Sequence, residues 1–244
     1  MKKFLLVALI ILLGTFIYIK VQVLGDPNSS FNQTTRYNLG KRQFFRSIFG
    51  LHSYGDARYE YLSGDSEVSV EMVKAQGVSV DEQTLLDFTK EVKTYTGRPT
   101  KLFDTETVQR GTLSDADLAV IAKGSRHHVI PGQSNVFVVY AEDFQRSGDE
   151  VAKTFSEFGI VISDKRLREA TQKYPASLNE YLLSTLLHEL GHQLGLEHND
   201  QTDCIMNPQV ENPTVQEYFN GRYTATEFCD FELKQLDEIK AKIK

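Results

Sequence analysis

The stretch His188-Glu189-Leu-Gly-His192-Gln-Leu-Gly195-Leu-Glu-His198 constrains this chain more than any other. Residues four apart stack on one face of a helix, so His188 and His192 can aim imidazole nitrogens at one metal about 2 Å away. A tetrahedral catalytic zinc takes three protein ligands and keeps its fourth position for water, so a third donor must arrive from beyond that face. Gly195 supplies the means, because glycine accepts the left-handed conformation that ends a helix and lets the chain return with His198. Glu189, directly after the first ligand, can reach a zinc-bound water as general base, and the metal lowers that water's pKa to about 7. A bare His-Glu-x-x-His arises by chance in about one chain of this size in a hundred; adding Gly195 and His198 makes coincidence rarer by about another several hundred-fold. Three of the chain's six histidines lie in this stretch.

At 244 residues the chain accommodates one domain of ordinary size plus a tail. A net charge of -6 argues against a nucleic-acid partner, since no cluster of Lys and Arg is large enough to neutralise a phosphate backbone. The one compact basic group, Lys41, Arg42 and Arg46, reads as a solvated juxtamembrane segment.

Lys2-Lys3 followed by the apolar run Phe4 to Ile19 belongs in a membrane rather than a core. Sixteen residues are marginal for a span and long for a cleaved signal, although Lys20 can snorkel and extend the run to Leu24. The positive start and the poor cleavage candidate near Gly25 favour an uncleaved anchor with the remainder exported; the alternative is secretion after cleavage there. Residues 1–25 are therefore read as signal peptide or anchor, 26–66 as a stalk or loosely ordered lead-in without periodicity, and 67–244 as the catalytic domain. In an exported chain the two cysteines, Cys204 and Cys229, are expected to be bridged; two free buried thiols are the alternative.

Along the domain, alternation at Val68, Val70 and Met72 predicts a strand, and Leu85, Phe88 and Val92 predict a helix over Asp81 to Tyr95. Thr100 to Thr107 reads as a strand, and Ser114 with Asp117 opens a helix whose Leu118, Ile121 and Ala122 face inward. His127 and His128 read as last-turn cations of that helix rather than ligands. Val136 to Tyr140 is a strand covered on both faces, and Lys153 to Phe158 and Ile160 to Ser163 follow as two more. Ser177 with Glu180 is a capping box that starts the histidine helix near Leu178, with Gly195 at its end. A last helix, capped by Thr226, carries Phe228, Phe231, Leu236 and Ile239.

The pattern His188-Glu189-x-x-His192-x-x-Gly195-x-x-His198 followed by Met206 resembles the metzincin clan of zinc metallopeptidases. Within it, Asp203-Cys204-Ile205-Met206 and Cys229 are similar to archaemetzincins and their bacterial and archaeal relatives. Those carry further cysteines where this chain has Asn199 and Glu232, which argues against a second, four-cysteine zinc site. The resemblance implies an α+β, metzincin-like zincin fold: a twisted mixed sheet, an active-site helix and a small C-terminal helical subdomain. It implies zinc as cofactor, a peptide or protein substrate, Met206 as the methionine of the turn beneath the ligands, and an antiparallel cleft-edge strand near Lys153 to Phe158. No propeptide cysteine is present to block the zinc, though Asp56 or Asp65 could serve, and Tyr218 or Tyr223 in the loop after Met206 could assist catalysis. The expected activity is endopeptidase cleavage by water that Glu189 activates. The alternatives are an exported metal-binding pseudoenzyme or interaction module, or a zinc hydrolase of exopeptidase or amidase type.

Overall fold

The computed structural model describes residues 2–23, 31, 35, 39, 43–49, 58–63, 66–103, 106–109, 111–127, 134–145, 150–155, 158–173, 177–201, 204–208 and 225–243. Several expectations fall outside them: the side chains of Lys41, Arg42 and Arg46, His128, Asp56, Asp65, the cleavage candidate at Gly25, and Tyr218 and Tyr223. The chain forms two compact units, Met1–Tyr54 and Gly55–Lys244.

In the first unit, α1 (Lys2–Val23) is one helix and α2 (Gln43–Phe49) a short one. Lys20 Nζ donates to the Phe49 carbonyl at 2.7 Å, and the Phe16 and Phe49 rings meet at 5.5 Å. Leu9, Ile10, Ile11, Leu12 and Leu13 are exposed along α1. Among the described residues no helix is long and apolar enough to cross a membrane.

The second unit is built on a six-stranded sheet in the order β2 (Thr100–Leu102), β1 (Val68–Ala75), β5 (Ser134–Ala141), β8 (Gly159–Ser163), β7 (Ala152–Phe155), with β3 (Glu106–Val108) also pairing with β1. All pairs are parallel except β7 with β8, so the antiparallel edge strand falls where the resemblance put it. Successive strand residues point to opposite faces, and β1 and β5 are buried on both. Val70, Met72, Val136, Val138, Tyr140, Ile160 and Ile162 pack with α4 (Glu82–Thr96) and the histidine helix α7 (Leu178–Leu194) in one core. Val73, Phe137, Val139 and Val161 turn the other way, against Leu118 of α5 (Asp115–Ser125). β4 (Thr112–Leu113) and β6 (Asp143–Phe144) form a small separate sheet.

Caps and turns follow the local chemistry. Asp81 accepts from the Thr84 N–H to start α4, which ends at Gly97 with φ 70°. Both halves of the capping boxes Ser114/Asp117 and Ser177/Glu180 are made.

Several features differ from the sequence reading, among them the strand expected over Thr100 to Thr107, which is two, β2 and β3. Asp164–Lys173 is a helix, α6, that anchors Leu167 in the core and carries an Asp164–Arg168 pair one turn apart. His127 lies beyond the end of α5 and its Nε2 contacts Glu106 Oε1 of β3 at 2.8 Å, which holds the Glu106 carboxyl below its ordinary range. The last helix, α8 (Asp230–Ile243), starts after Cys229 rather than at Thr226: the Leu233 N–H returns to the Cys229 carbonyl and the Cys229 N–H to the Glu232 carboxylate. Its buried face is also shifted, because Phe231 is 44% exposed while Glu232 is fully buried.

Residues 58–62, inside the stretch expected as a lead-in, form a short helix, α3, in the second unit. Tyr61 is fully buried, and its hydroxyl shares its hydrogen between the Asn135 carbonyl at 3.0 Å and Gln193 Oε1 at 2.9 Å. Buried Arg98 ties the same segment down, donating to the carbonyls of Glu60 and Ser66 at 2.6 Å each and to Ser134 Oγ at 2.8 Å.

Candidate metal centre

α7 is buried almost all round, because the sheet covers one side and the C-terminal segment the other. Its length brings His188 and His192 to the same face one turn apart, and Gly195 ends it in the left-handed conformation, φ 88°, with its N–H on the carbonyls of Gly191 and His192. The chain then reverses and returns His198. The ligand nitrogens of His188, His192 and His198 lie within 4.8 Å of one another. The ring centroids are 4.9, 5.1 and 4.7 Å apart. His188 is buried, His192 half-buried and His198 exposed, so the cluster opens to solvent on the His198 side.

The donor set suits zinc. His188 Nδ1 lies 2.7 Å from the Ile205 carbonyl, which can only accept, so Nδ1 carries the proton and Nε2 presents its lone pair. That Nε2 lies 3.1 Å from Nε2 of His198. A tetrahedral zinc with bonds of about 2.05 Å holds its donors about 3.3 Å apart, close to this spacing. Glu189, next in the chain to His188, is buried.

The floor of the site is the turn at Ile205–Met206. Met206 is fully buried and packs against α7 at Gly191, where an added β-carbon would overlap its sulfur. The Asn199 N–H donates to the Met206 carbonyl at 3.0 Å, closing the loop between the third histidine and this turn. Cys204 and Cys229 are bridged as expected, joining the turn to the start of α8. Together with Glu232 they form a second group of potential ligands within 4.8 Å, but both sulfurs are committed to each other. Tyr95 of α4 holds the same segment from above: its ring lies 4.2 Å from that of Phe228 and its oxygen accepts the Phe228 N–H at 2.9 Å. Burial pushes the Tyr95 phenol well above its ordinary range, so it stays protonated.

The structure thus brings together His188, His192, His198, Glu189, Met206, Cys204 and Cys229 in one region. Sequence reading overlooked Gly191, whose missing side chain admits Met206, and it noted Glu232 and Asn199 only as departures from a cysteine pattern. The signal available for Gly191 was a glycine inside a helix, where it costs about 1 kcal/mol and so needs a packing reason.

No curated protein matches the chain. Among solved structures it is similar to an archaemetzincin from Methanopyrus kandleri, at 16% identity over 72% of this chain and 95% of that one, with a TM-score of 0.51. It is also similar to a zinc-dependent peptidase from Methanocorpusculum labreanum, at 16% identity over 68% and 99% of the two chains, with a TM-score of 0.46. The likeness to the former shows a shared fold, in keeping with the mixed sheet and helices described above. The family model described as matrixin matches residues 66–220, well over half of the chain and including all three histidines. By that match the chain belongs to the matrixin family of zinc metallopeptidases, in the metzincin clan, and zinc is its cofactor.

Proposed function

We propose that this protein is an exported, membrane-tethered zinc endopeptidase in which His188, His192 and His198 hold the metal and Glu189 is the general base. The observation that carries this reading is the convergence of three imidazoles within 4.8 Å, with Glu189 buried next to the first of them. Zinc held there supplies a Lewis acid for the scissile carbonyl and lowers the pKa of water to about 7. Glu189 takes the proton from the attacking water and passes it to the leaving amine nitrogen. His188 is held in the ligating tautomer by the Ile205 carbonyl, and its burial excludes water from that side.

Internal cleavage of a polypeptide is supported by the sheet edge. β7 ends the strand order and runs antiparallel to β8, so an extended substrate can add to it through backbone hydrogen bonds rather than through its termini. Export and tethering rest on Lys2-Lys3 ahead of the apolar run and on the exposed leucines and isoleucines of α1.

The test is zinc analysis of the purified protein coupled to digestion of a mixed peptide library. One zinc per chain and internal cleavage are expected. E189Q should retain the zinc and lose turnover, because a base that is not a ligand leaves the metal when removed. Loss of metal along with activity in E189Q, or release of terminal residues alone by the parent, would overturn the assignment.

A further inference from the structure

Glu232 is a fully buried carboxylate with no lysine or arginine among its hydrogen-bond partners in the described residues. A buried charge is costly unless it is fully hydrogen-bonded, and here four N–H donors converge on it. Oε1 accepts from the Met206 N–H at 2.5 Å and from Asn199 Nδ2 at 3.1 Å; Oε2 accepts from the Cys229 N–H at 3.0 Å and from the Ile205 N–H at 3.2 Å. Two of these donors belong to the turn under the histidines, one to the residue after the third histidine, and one to the cap of the helix that carries Glu232.

This arrangement reaches the metal centre by two routes. The peptide group between Ile205 and Met206 donates its N–H, that of Met206, to Glu232 and gives its carbonyl, that of Ile205, to His188 Nδ1, so the carboxylate fixes the acceptor that sets the His188 tautomer. Asn199 is held at both ends, by its side chain on Glu232 and by its backbone N–H on Met206, and this sets where His198 returns. Resting on the metal-site reading above, we propose that Glu232 is a positioning residue of the zinc centre: its charge holds the Ile205–Met206 turn and the His198–Asn199 corner in ligating geometry. Each carboxylate oxygen takes two N–H donors. A glutamine of the same shape would turn an NH2 group toward two of them, so the function requires the charged acceptor and not merely its volume.

The test measures zinc affinity by chelator competition and splits KM from kcat, on the full chain in detergent with its disulfide intact. Partners that orient metal ligands typically contribute about 10–100-fold to metal affinity, and a loss of that order is expected in E232Q, with kcat falling and KM for peptides changing less than about twofold. L236A, at a buried apolar position one turn further along the same helix, is the control for mere loosening of α8. It should lower thermal stability and leave zinc affinity within about twofold of the parent. Should E232Q not fold, N199A, which removes one of the four donors, decides the matter, and a smaller loss of zinc affinity is expected from it. Unchanged zinc affinity in E232Q, or in N199A if E232Q cannot be obtained, overturns the proposal, as does an equal loss in L236A. A parent that binds no zinc at all would instead sink the underlying metal-site reading.

Discussion

Met206 lies so close to Gly191 that a β-carbon on the helix would overlap its sulfur. The floor of the candidate metal site therefore touches the backbone of the helix that carries His188 and His192. G191A tests that contact. In an unobstructed helix interior alanine is better than glycine by about 1 kcal/mol, so a stabilised variant would mean that the contact yields. The expected result is the opposite, a loss of about 1–3 kcal/mol from overpacking, with weaker zinc retention. In a double-mutant cycle M206A should relieve part of the G191A effect; additive losses would show that the two positions do not act through each other.

Removal of metal should be reversible and stabilising on return. Chelation is expected to abolish peptide cleavage, and stoichiometric zinc to restore it. Zinc at about 100 times its Kd should raise stability by about 2.7 kcal/mol, read as a higher Tm. H198A should lose most of this increment, since it removes a ligand. A zinc-dependent Tm shift undiminished in H198A would place the third ligand elsewhere.

Reduction of Cys204–Cys229 releases a closed loop 25 residues long. Loop closure on that scale corresponds to about 3 kcal/mol, so a reduced and alkylated sample should unfold at clearly lower denaturant concentration than the oxidised one. Peptide mapping without reduction should recover the two cysteines in a single linked peptide. Free, alkylatable thiols in the exported protein would contradict this.

The hydroxyl of Tyr61 connects α3 to the active-site helix at Gln193, the residue after His192. Y61F should cost about 1–2 kcal/mol, because it leaves buried acceptors without their donor. A fragment covering residues 66–244 should be less stable than one covering 55–244, since it lacks the fully buried ring as well. Equal denaturation midpoints for the two fragments would show that α3 is dispensable.

The tether is checked by fractionation. Full-length protein should remain with membranes through high-salt washing, which strips proteins held by charge but not one held by apolar side chains seated in the bilayer. Added protease should reach the catalytic domain from outside the cell. A soluble protein whose mature amino terminus is Asp26 would replace the tether with secretion.

Much of the catalytic unit was legible locally. The strand at Val68, the helices begun by Asp81, Ser114 and Ser177, and the ends at Gly97 and Gly195 depend on caps, periodicity and glycine conformation, all of which act within a few residues. The convergence of the three histidines was legible for the same reason, since two of them share one helix and the third follows a glycine turn. α8 shows where this reading stops. Its apolar spacing pointed Phe231 inward, yet Phe231 is 44% exposed and Glu232 occupies the core.

The sequence by itself determined the histidine helix, its cap at Ser177, its stop at Gly195 and the histidine spacing written on it, because each is a property of neighbouring residues. Only the tertiary structure decided that a carboxylate could sit at the bottom of that site. A buried charge is tolerated when donors surround it, and those of Glu232 come from Asn199, Ile205, Met206 and Cys229, which the fold alone brings to one point. The same holds for Gly191. Its need for a bare α-carbon arises from Met206, fifteen residues away in the chain and in contact only once the loop after His198 has closed.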